Sequence, residues 1–566
     1  MVPRLVGSRQ EYLPGVSSVE SSQHRRVMLL SRLIQLDNNK SKAHCTPRQQ
    51  PGSTLHPSIH PFSCLPPAAG MSADDERRFR IIVIGAGISG LVASNYLQRL
   101  DIDHVVLEQN TEVAPATAGV ISLWPHAVRI LQQLGCLEAV RRVSKPYSRI
   151  LTRGQDGKLL LDSGLLERLW VSHGAPAYPI NRQTLLQILY DALPDKSLIR
   201  TGVAVEAIEQ YPDGAKVRLG DGRVETGDMV LGCDGVRSPT RSLMWEHAAR
   251  ASPGLIQASE KTSLRTLYQA LLVTAPPMAE QLDGDSNLVV TQGSDLCFMA
   301  VTQPDTTYLL AIEPATPGPF SWPHRRHFTD ADAEAMAARI ADRPVTDGIL
   351  FSEIWRRRTR ASMVTLEEGV MDHWHHGRIC LGGDAVHKFQ PSLAMGGSAA
   401  MESVVSLINH LQTALVRFSP ATSFAAQKPS GTALNMAFAA YQAQERDRMR
   451  WMRDACCGLA KTQMYATPWH RLLGQWLIPR VVGDGALGEQ ISAYIAGAPR
   501  MAFLPSVGLP KGRIPWAGEH DEEGAHSDWG SGRVNLGAGG AAEPYVAQEG
   551  MGNGSLERQI RVTTAA

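Results

Sequence analysis

The sequence has 566 residues, of which 43% are hydrophobic and 20% are charged, so the chain can bury a large core and form two or more domains. Its net charge of +1 gives no reason to expect nucleic acid as a partner. The eight cysteines form no CxxC pair and show no metal-ligand spacing, which indicates reduced thiols in an intracellular protein and argues against a metal site.

The first 75 residues differ in composition from the chain that follows. They are rich in Ser, His, Pro, Gln and Arg, and no uninterrupted apolar run there could form a signal-peptide core. Met71 is followed by a short charged lead into an apolar strand, as at a natural start. We therefore expect residues 1–75 to be a disordered extension or a misassigned start. Residues 517–566, dominated by Gly, Glu, Ala and Ser, predict a disordered tail.

The stretch IIVIGAGISGLVASNYL combines an apolar strand, a glycine-rich turn and a helix. Gly85 permits the tight turn, Gly87 lets a pyrophosphate approach the backbone, and Gly90 lets helix and strand pack closely. Glu108 then ends a second strand, HVVLE, where its carboxylate would accept hydrogen bonds from the hydroxyls of an adenosine ribose. The arrangement predicts a dinucleotide site.

Two later stretches also place an aspartate after a strand. DMVLGCDGVRS contains Asp234, and GRICLGGDAVHKFQPSLAMGGSAAME contains Asp384 and a helix that opens at its second glycine pair. An aspartate at a strand end could bind the ribityl hydroxyls of a flavin. The helix could direct its free N–H groups and its positive end at the pyrophosphate or the flavin. A nicotinamide site needs neither element, so the pattern favours a flavin.

In this order, GAGISG, CDGVRS and GGDAVHKFQP resemble the three fingerprints of the FAD-dependent aromatic hydroxylases, the single-component flavoprotein monooxygenases similar to para-hydroxybenzoate hydroxylase. Within that family, AGVISLWPHAVRILQQLG and INRQTLLQILYDALPD are most similar to fungal secondary-metabolite epoxidases and hydroxylases that act on meroterpenoid or indole-diterpene intermediates. The resemblance extends from Arg80 to Trp516.

The resemblance implies an α/β fold, with a Rossmann-like FAD-binding domain, an inserted β-sheet substrate domain and a C-terminal helical region. The expected boundaries are 76–250 and 363–420 for the two parts of the FAD-binding domain, 251–362 for the substrate-binding sheet, and 421–516 for the helical region. Strand patterns within the sheet cover residues 265–273, 287–292, 296–303 and 307–313. By resemblance, these strands form the antiparallel sheet that roofs the flavin.

The resemblance also assigns roles to single residues. Gly119 would lie where a loop passes the flavin, and Gly397 would place its backbone beside it. Arg182 would steady the cofactor, although a solvated arginine at a helix start is the alternative. Asp234 would contact FAD and contribute to NAD(P)H binding, although it could simply cap a turn. Asp384 would bind the ribityl chain, and Glu108 the adenosine ribose.

Tyr268 lies on the first strand of the expected sheet, where related fungal epoxidases carry a tyrosine thought to act in catalysis. Its phenol could donate a hydrogen bond to a peroxide or a substrate oxygen, and a packed strand tyrosine is the alternative. The chain also departs from the family pattern. Ala394, Met395 and Gly396 replace the usual Gly-Gln-Gly, and Ser398 a usual Asn.

The implied activity is that of an FAD-dependent monooxygenase. NAD(P)H would reduce FAD, O2 would add at the flavin C4a position, and one oxygen atom would pass to a lipophilic secondary-metabolite intermediate by epoxidation or hydroxylation. The sequence has no second strand-linked glycine fingerprint for NAD(P)H, which agrees with the resemblance, because it implies that the nicotinamide cofactor binds transiently. Two alternatives stay open: a flavin-dependent reductase or oxidase on the same scaffold, and a catalytically idle flavin-binding protein.

The stretch WHRLLGQWLIPRVVG at residues 469–483 is apolar but interrupted by His, Arg, Gln and Pro, so it is too broken to span a bilayer. It could dock on a membrane surface. We therefore expect an intracellular protein, cytoplasmic or peripherally associated with a membrane, with no evident partner protein.

Overall fold

The structure is a computed structural model that describes residues 78–324, 326–418, 429–482, 485–505 and 508–517. The expected N-terminal extension and C-terminal tail therefore lie almost entirely outside the described residues. Among those residues, no helix combines the length and the apolar character needed to cross a bilayer.

The elements of the described residues are numbered here in chain order. The strands are β1 (Arg80–Ile84), β2 (Asp103–Leu107), β3 (Val120–Leu123), β4 (Ile150–Arg153), β5 (Leu159–Ser163), β6 (Tyr178–Asn181), β7 (Ile199–Arg200), β8 (Val205–Tyr211), β9 (Gly214–Leu219), β10 (Val224–Gly227), β11 (Met229–Gly232), β12 (Arg265–Ala275), β13 (Leu288–Thr291), β14 (Cys297–Gln303), β15 (Thr306–Pro314), β16 (Phe320–Ser321), β17 (Pro344–Thr346), β18 (Ile349–Leu350), β19 (Arg360–Val370), β20 (His375–His376), β21 (Ile379–Leu381) and β22 (His387–Lys388). The helices are α1 (Ile88–Arg99), α2 (Pro125–Gln133), α3 (Leu137–Val143), α4 (Leu165–His173), α5 (Arg182–Asp191), α6 (Pro239–Ala251), α7 (Ala258–Lys261), α8 (Asp330–Arg339), α9 (Phe351–Arg356), α10 (Gly396–Phe418), α11 (Gly431–Gln463), α12 (Pro468–Leu472) and α13 (Gly485–Ala496).

The first sheet has the strand order β20-β21-β11-β1-β2-β7, and its pairs are parallel except for β20 with β21. Its central strand β1 pairs with β2 on one side and with β11, far along the chain, on the other. The side chains of Ile81, Ile82 and Val83 are fully buried, as expected for a parallel strand covered on both faces. This sheet is the predicted Rossmann-like core.

The second sheet is built mainly of antiparallel strands in the order β22-β19-β12-β15-β14-β13-β4-β5, and β16 pairs with β12. The four expected strands of the insertion correspond to β12, β13, β14 and β15, which confirms that prediction. Strands β4 and β5 also belong to this sheet, although they come from the part of the sequence assigned to the FAD-binding domain. β4 joins through a parallel pair with β13.

The two faces of the second sheet have different surroundings. One face packs under α8 and α9, where Leu271, Val273 and Phe298 are buried. The other face carries an apolar cluster that is only partly covered, and we call it the chamber face. Its residues include Tyr268, Ala270, Leu272, Leu288, Val290, Cys297, Met299, Leu310, Ile312, Val364 and Leu366, with Met464 packed against them.

The C-terminal region is helical, as predicted. Helix α11 is 33 residues long and begins at an N-cap, Ser430, whose side chain accepts a hydrogen bond from Ala433 N. It packs along α10 and reaches β19 of the second sheet. Its C-terminal neighbour Met464 lies on the chamber face. The fold class expected from the sequence is therefore confirmed.

Candidate active site

The glycine turn after β1 has the conformation that each glycine was expected to supply. Gly85 has φ +100°, in the region that favours glycine, and a Cβ there would lie 2.6 Å from the Cys233 carbonyl oxygen. A Cβ on Gly90 would lie 1.9 Å from the Gly85 carbonyl oxygen, so only glycine lets helix and strand approach this closely. A Cβ on Gly87 would meet nothing within 4 Å. Open space therefore lies beside the backbone at the N-terminus of α1.

Glu108 follows β2 and is almost completely buried. Its Oε2 accepts a hydrogen bond from Ala86 N at 2.7 Å, and its Oε1 accepts bonds from Asn110 N at 2.9 Å and Asn110 Nδ2 at 2.7 Å. The carboxylate therefore fixes the glycine turn, a role that the sequence did not predict. The expected contact with a ribose would add to these bonds.

The loops after β1, β11 and β21 converge at the carboxyl edge of the parallel sheet. Gly383, which has φ +61°, approaches the first loop so closely that a Cβ there would lie 2.0 Å from Ser89 Oγ. Ser89 Oγ in turn donates a hydrogen bond to Ala400 O at 3.3 Å. Gly85 contacts the β11 loop, as described above. The three sequence fingerprints thus form one site at the position where open α/β sheets bind ligands.

Asp384 lies in a short 3-10 turn after β21 and is paired with Lys388, whose Nζ donates to its Oδ2 at 2.5 Å. Lys388 was not predicted as a residue of the site, although it lies only four residues after Asp384. Burial lowers the pKa of Arg182, and the negative charges of Asp384 and Glu108 partly offset this effect. These three predicted cofactor residues are therefore close enough to interact electrostatically.

Arg182 begins α5, and its backbone N–H donates to Gly119 O at 3.0 Å, next to the β3-β6 ribbon. This bond holds the two predicted residues Gly119 and Arg182 together. Asn181 caps the helix by accepting hydrogen bonds from Gln183 N and Thr184 N. The position of Arg182 is thus fixed by a strand, a cap and a helix.

Asp234 follows β11, and its Oδ2 accepts a hydrogen bond from Thr240 N at 2.8 Å, at the start of α6. This is the capping role considered as the alternative. Its other oxygen, Oδ1, is buried and has no hydrogen-bond partner among the described residues. Burial raises the pKa of Asp234, although hydrogen bonds from Ser238 and Thr240 oppose the rise. The capping role of Asp234 is therefore shown, and its contact with FAD stays a prediction.

Helix α10 begins at a glycine pair whose two members have different surroundings. A Cβ on Gly397 would lie 2.6 Å from Ile121 Cγ2, so this residue allows close packing against β3. A Cβ on Gly396 would meet nothing within 4 Å. The open backbone position of the pair is therefore Gly396, while the placement of Gly397 beside a flavin stays a prediction.

The chamber face contains two polar groups that lie near each other. Burial, followed by the charge of Glu368, raises the pKa of Tyr268 to about 12. Glu368, which is 8% exposed, accepts a hydrogen bond from Cys457 Sγ at 3.2 Å. No local sequence pattern indicates Glu368, because its proximity to Tyr268 depends on the pairing of β12 with β19 and on a register shift between Thr266 and Tyr268.

The residues at the carboxyl edge fit FAD. Helix α1 is preceded by Gly87 and helix α10 begins at Gly396, and both glycines have open space beside them. Helix N-termini of this kind bind phosphate groups. The unpartnered Asp234 Oδ1 and the cation of Arg182 add polar contacts suited to a dinucleotide. The family model described as FAD binding domain matches residues 78–417. The chain belongs to this family of FAD-binding proteins.

Named relatives in this family are fungal monooxygenases. The chain is 35% identical over 434 residues to FAD-dependent monooxygenase DEP2 of Alternaria brassicicola, covering 76% of this chain and 80% of the relative. It is 30% identical over 444 residues to FAD-dependent monooxygenase penE of Penicillium thymicola, covering 78% and 90%. The protein is therefore an FAD-dependent monooxygenase, as the resemblance implied, and FAD is its cofactor.

Solved structures share the fold of this flavoprotein. HpxO of Klebsiella pneumoniae, complexed with FAD and uric acid, has a TM-score of 0.60 and 20% identity, covering 74% of this chain and 97% of HpxO. CtdE in complex with FAD and a substrate has a TM-score of 0.55 and 17% identity, covering 76% and 94%.

The residues that depart from the family pattern have structural roles in this monooxygenase. Ala394 has φ +52°, in the left-handed region, which costs a residue with a side chain on the order of 1 kcal/mol, and its carbonyl accepts a hydrogen bond from Trp124 Nε1 at 3.2 Å. Ser398 Oγ donates to Ser122 O and accepts from Trp124 N, both at 3.1 Å. Hydrogen bonds from these residues to Ser122 and Trp124 thus hold the loop and the start of α10 against β3.

A buried polar cluster lies behind this loop, between α2, α10, α11 and α13. Arg448 donates to Glu402 Oε1 through Nε at 2.8 Å, and its Nη2 lies 2.6 Å from the same oxygen. Tyr494 donates to Glu402 Oε2 at 2.9 Å. Burial, followed by the charge of Glu402, raises the pKa of Glu445 well above its usual value. Arg448 therefore contacts both glutamates, Glu402 closely and Glu445 Oε2 at 3.8 Å, and the anion of Glu445 is disfavoured by its burial and by the charge of Glu402.

Proposed function

We propose that this flavoprotein transfers one oxygen atom from O2 to a lipophilic small molecule, by epoxidation or hydroxylation, and consumes NAD(P)H. The product would belong to a fungal secondary-metabolite pathway, which is supported by the fungal origin of the named relatives. A lipophilic substrate also supports peripheral contact between the protein and a membrane.

The observation that carries this proposal is the chamber face. Apolar side chains on four strands of the sheet, including Leu272, Leu310 and Val364, are only partly covered although they belong to a packed cluster. Partly covered apolar residues with few polar groups are typical of a site for a small lipophilic ligand. Their apolar surface would also exclude water from the reaction.

The chain's own residues would divide the work between cofactor and substrate. Bound FAD would supply the redox chemistry with O2 and the nicotinamide. Arg182 and Asp384 would hold and orient it. Tyr268 keeps its phenolic proton at neutral pH because its pKa is about 12. It would therefore act as a hydrogen-bond donor to a substrate or peroxide oxygen rather than as a base.

Glu368 would supply the complementary acceptor. Its carboxylate is nearly buried and accepts a hydrogen bond from the weakly donating thiol of Cys457. A substrate hydroxyl would be a stronger donor to the same carboxylate. An apolar molecule with a hydroxyl or another single donor therefore fits the chamber best.

The experiment that tests the function measures the origin of the oxygen atom. Purified FAD-loaded enzyme is incubated with NADPH, isotopically labelled O2 and candidate terpenoid or indole-terpenoid substrates, and product masses are compared with those obtained in unlabelled O2. Incorporation of one labelled atom per product supports the proposal. A product without label would indicate a reductase or oxidase, and NADPH oxidation that no substrate stimulates would indicate an idle flavoprotein.

A further inference from the structure

The segment Pro468–Val482, comprising α12 and the π-helical turn Leu473–Val482, exposes apolar side chains to solvent. We call it the docking segment. Trp469 is 43% exposed, Leu472 47%, Trp476 50% and Val481 50%. Residues 469, 472 and 476 follow helical spacing, which places them on one side of the segment. Exposed large apolar residues grouped in this way mark an interaction surface.

The same segment is positively charged. It contains Arg471 and Arg480 and no Asp or Glu. Both arginines are exposed, and neither forms an ion pair with any residue that the structure describes. Arg480 Nη1 donates a hydrogen bond to Gln475 O at 2.8 Å, which holds its guanidinium at the surface. The two cations and Trp476 line an open cleft of about 460 Å³ together with Asp156 and Leu160 of the β4-β5 turn. Asp156 forms an ion pair with Lys158 at 3.8 Å.

The docking segment is fixed to the body of the enzyme beside the chamber face. A Cβ on Gly474 would lie 2.6 Å from Gln292 Oε1, so the segment passes very close to the end of β13. Gly293 N donates to Gln463 O at 3.1 Å, just before the segment begins. Met464, between these points, packs on the chamber face. The exposed apolar residues thus lie on a segment that packs closely against the body of the protein.

We propose that the docking segment binds the surface of a membrane that contains anionic lipids. Tryptophan prefers the interface between headgroups and acyl chains, where its ring is apolar and its N–H remains hydrated. The two arginines complement negatively charged headgroups, and no acidic side chain of the segment opposes them. This proposal specifies the surface and the lipid class for the membrane contact proposed above, and it does not depend on the oxygen transfer.

The test is co-sedimentation of the FAD-loaded protein with vesicles of phosphatidylcholine alone and of phosphatidylcholine mixed with phosphatidylserine. Wild-type protein is expected to bind the mixed vesicles more tightly, and added salt should weaken that binding. The double variant Arg471→Gln/Arg480→Gln should lose affinity for mixed vesicles on the order of tenfold. Trp469→Ser/Trp476→Ser should lose binding to both vesicle types.

The matched control is Trp170→Ser, because Trp170 is 44% exposed but lies on α4, outside the docking segment. It should bind vesicles as wild type does. Flavin absorbance and circular dichroism confirm that each variant is folded and loaded. The proposal fails if wild type binds neither vesicle type, if it binds both equally, or if the docking-segment variants bind as wild type does. Dimerisation abolished by the tryptophan variants, without lipid binding, would assign the surface to a second copy instead and overturn the proposal.

Discussion

Lys388 Nζ lies 2.5 Å from Asp384 Oδ2, so the carboxylate predicted to bind the ribityl chain is already neutralised by a protein cation. The two side chains are each about one-third exposed or less. This pair holds Asp384 at the carboxyl edge of the parallel sheet before any ligand contacts it. Loss of the carboxylate therefore removes a ligand contact and also leaves Lys388 without its partner.

Replacing Asp384 by alanine is expected to weaken FAD binding roughly ten- to a hundredfold, because hydrogen bonds to a charged acceptor contribute on the order of 1.5–3 kcal/mol. Flavin absorbance retained after gel filtration, followed by titration of the apoprotein with FAD, measures the change. Lys388→Met is the companion variant, because it breaks the ion pair but keeps the carboxylate. If Asp384→Ala bound FAD as tightly as wild type, Asp384 would have no role in the cofactor site.

At the adenosine end, Glu108→Ala is expected to weaken FAD binding to a similar degree and also to loosen the glycine turn, because Glu108 accepts the hydrogen bond of Ala86 N. Asn110→Ala separates the two effects, since it removes the side-chain donor to Glu108 Oε1 and leaves the carboxylate in place. Its FAD affinity should stay close to that of wild type. Equal losses in the two variants would mean that loop order, rather than a ribose contact, explains the effect.

In the chamber, Tyr268→Phe is expected to reduce oxygen transfer about tenfold or more without loss of FAD, because a positioned donor typically contributes that much to a rate. The readout is the ratio of product formed to NADPH oxidised, together with the peroxide released. Glu368→Gln should chiefly raise KM for a substrate that carries a hydroxyl, because the carboxylate acts in binding. An unchanged product ratio in Tyr268→Phe would leave Tyr268 as a packed strand residue.

The two buried glutamates near Arg448 should respond to different degrees to substitution by glutamine. Glu402→Gln removes the nearer carboxylate partner of the partly buried Arg448 and leaves it with the more distant Glu445 Oε2 at 3.8 Å, so it should destabilise the protein by about 3 kcal/mol. Glu445→Gln should cost less, because burial and the charge of Glu402 raise the pKa of Glu445 and so disfavour its anion in the folded protein. Urea unfolding monitored by circular dichroism gives both free energies.

Because folding raises the pKa of Glu445, the free energy of unfolding should depend on pH. The stabilising contribution of protonated Glu445 is fully present below the usual pKa of 4.5 and is lost as the pH rises from there through the folded-state value. Wild type should therefore lose stability relative to Glu445→Gln as the pH is raised. Parallel stability curves for the two proteins would show that Glu445 titrates normally.

The convergence of the three fingerprints at the carboxyl edge of the parallel sheet could be predicted from the sequence because it depends on local patterns. A buried strand followed by a glycine turn or an aspartate places Gly85, Asp234 and Asp384 at strand ends, and parallel strands bring their carboxyl ends together. The fold class and the four strands of the inserted sheet followed from the resemblance and from strand patterning.

Contacts that depend on strand register or on the packing of distant helices could not be predicted from local sequence patterns. Glu368 approaches Tyr268 only because β12 pairs with β19 across a register shift. Glu402 meets Arg448 and Tyr494 through the packing of three helices, and no local pattern predicts that packing. The capping bond of Asp234 was one of the two roles that the sequence allowed. No local pattern indicates that its Oδ1 lacks a hydrogen-bond partner among the described residues.

The pairing of β1 has a consequence for synthesis on the ribosome. One edge of β1 pairs with β2, which follows β1 after a single helix, α1. The other edge pairs with β11, for example Ile81 with Met229. β11 itself pairs with β21, where Val230 meets Ile379. Since translation proceeds from the N-terminus, the hydrophobic strand β1 emerges long before one of its partners exists. The nascent chain thus exposes an unpaired strand edge until β11 is made, and the flavin site is complete only after α10 has left the ribosome.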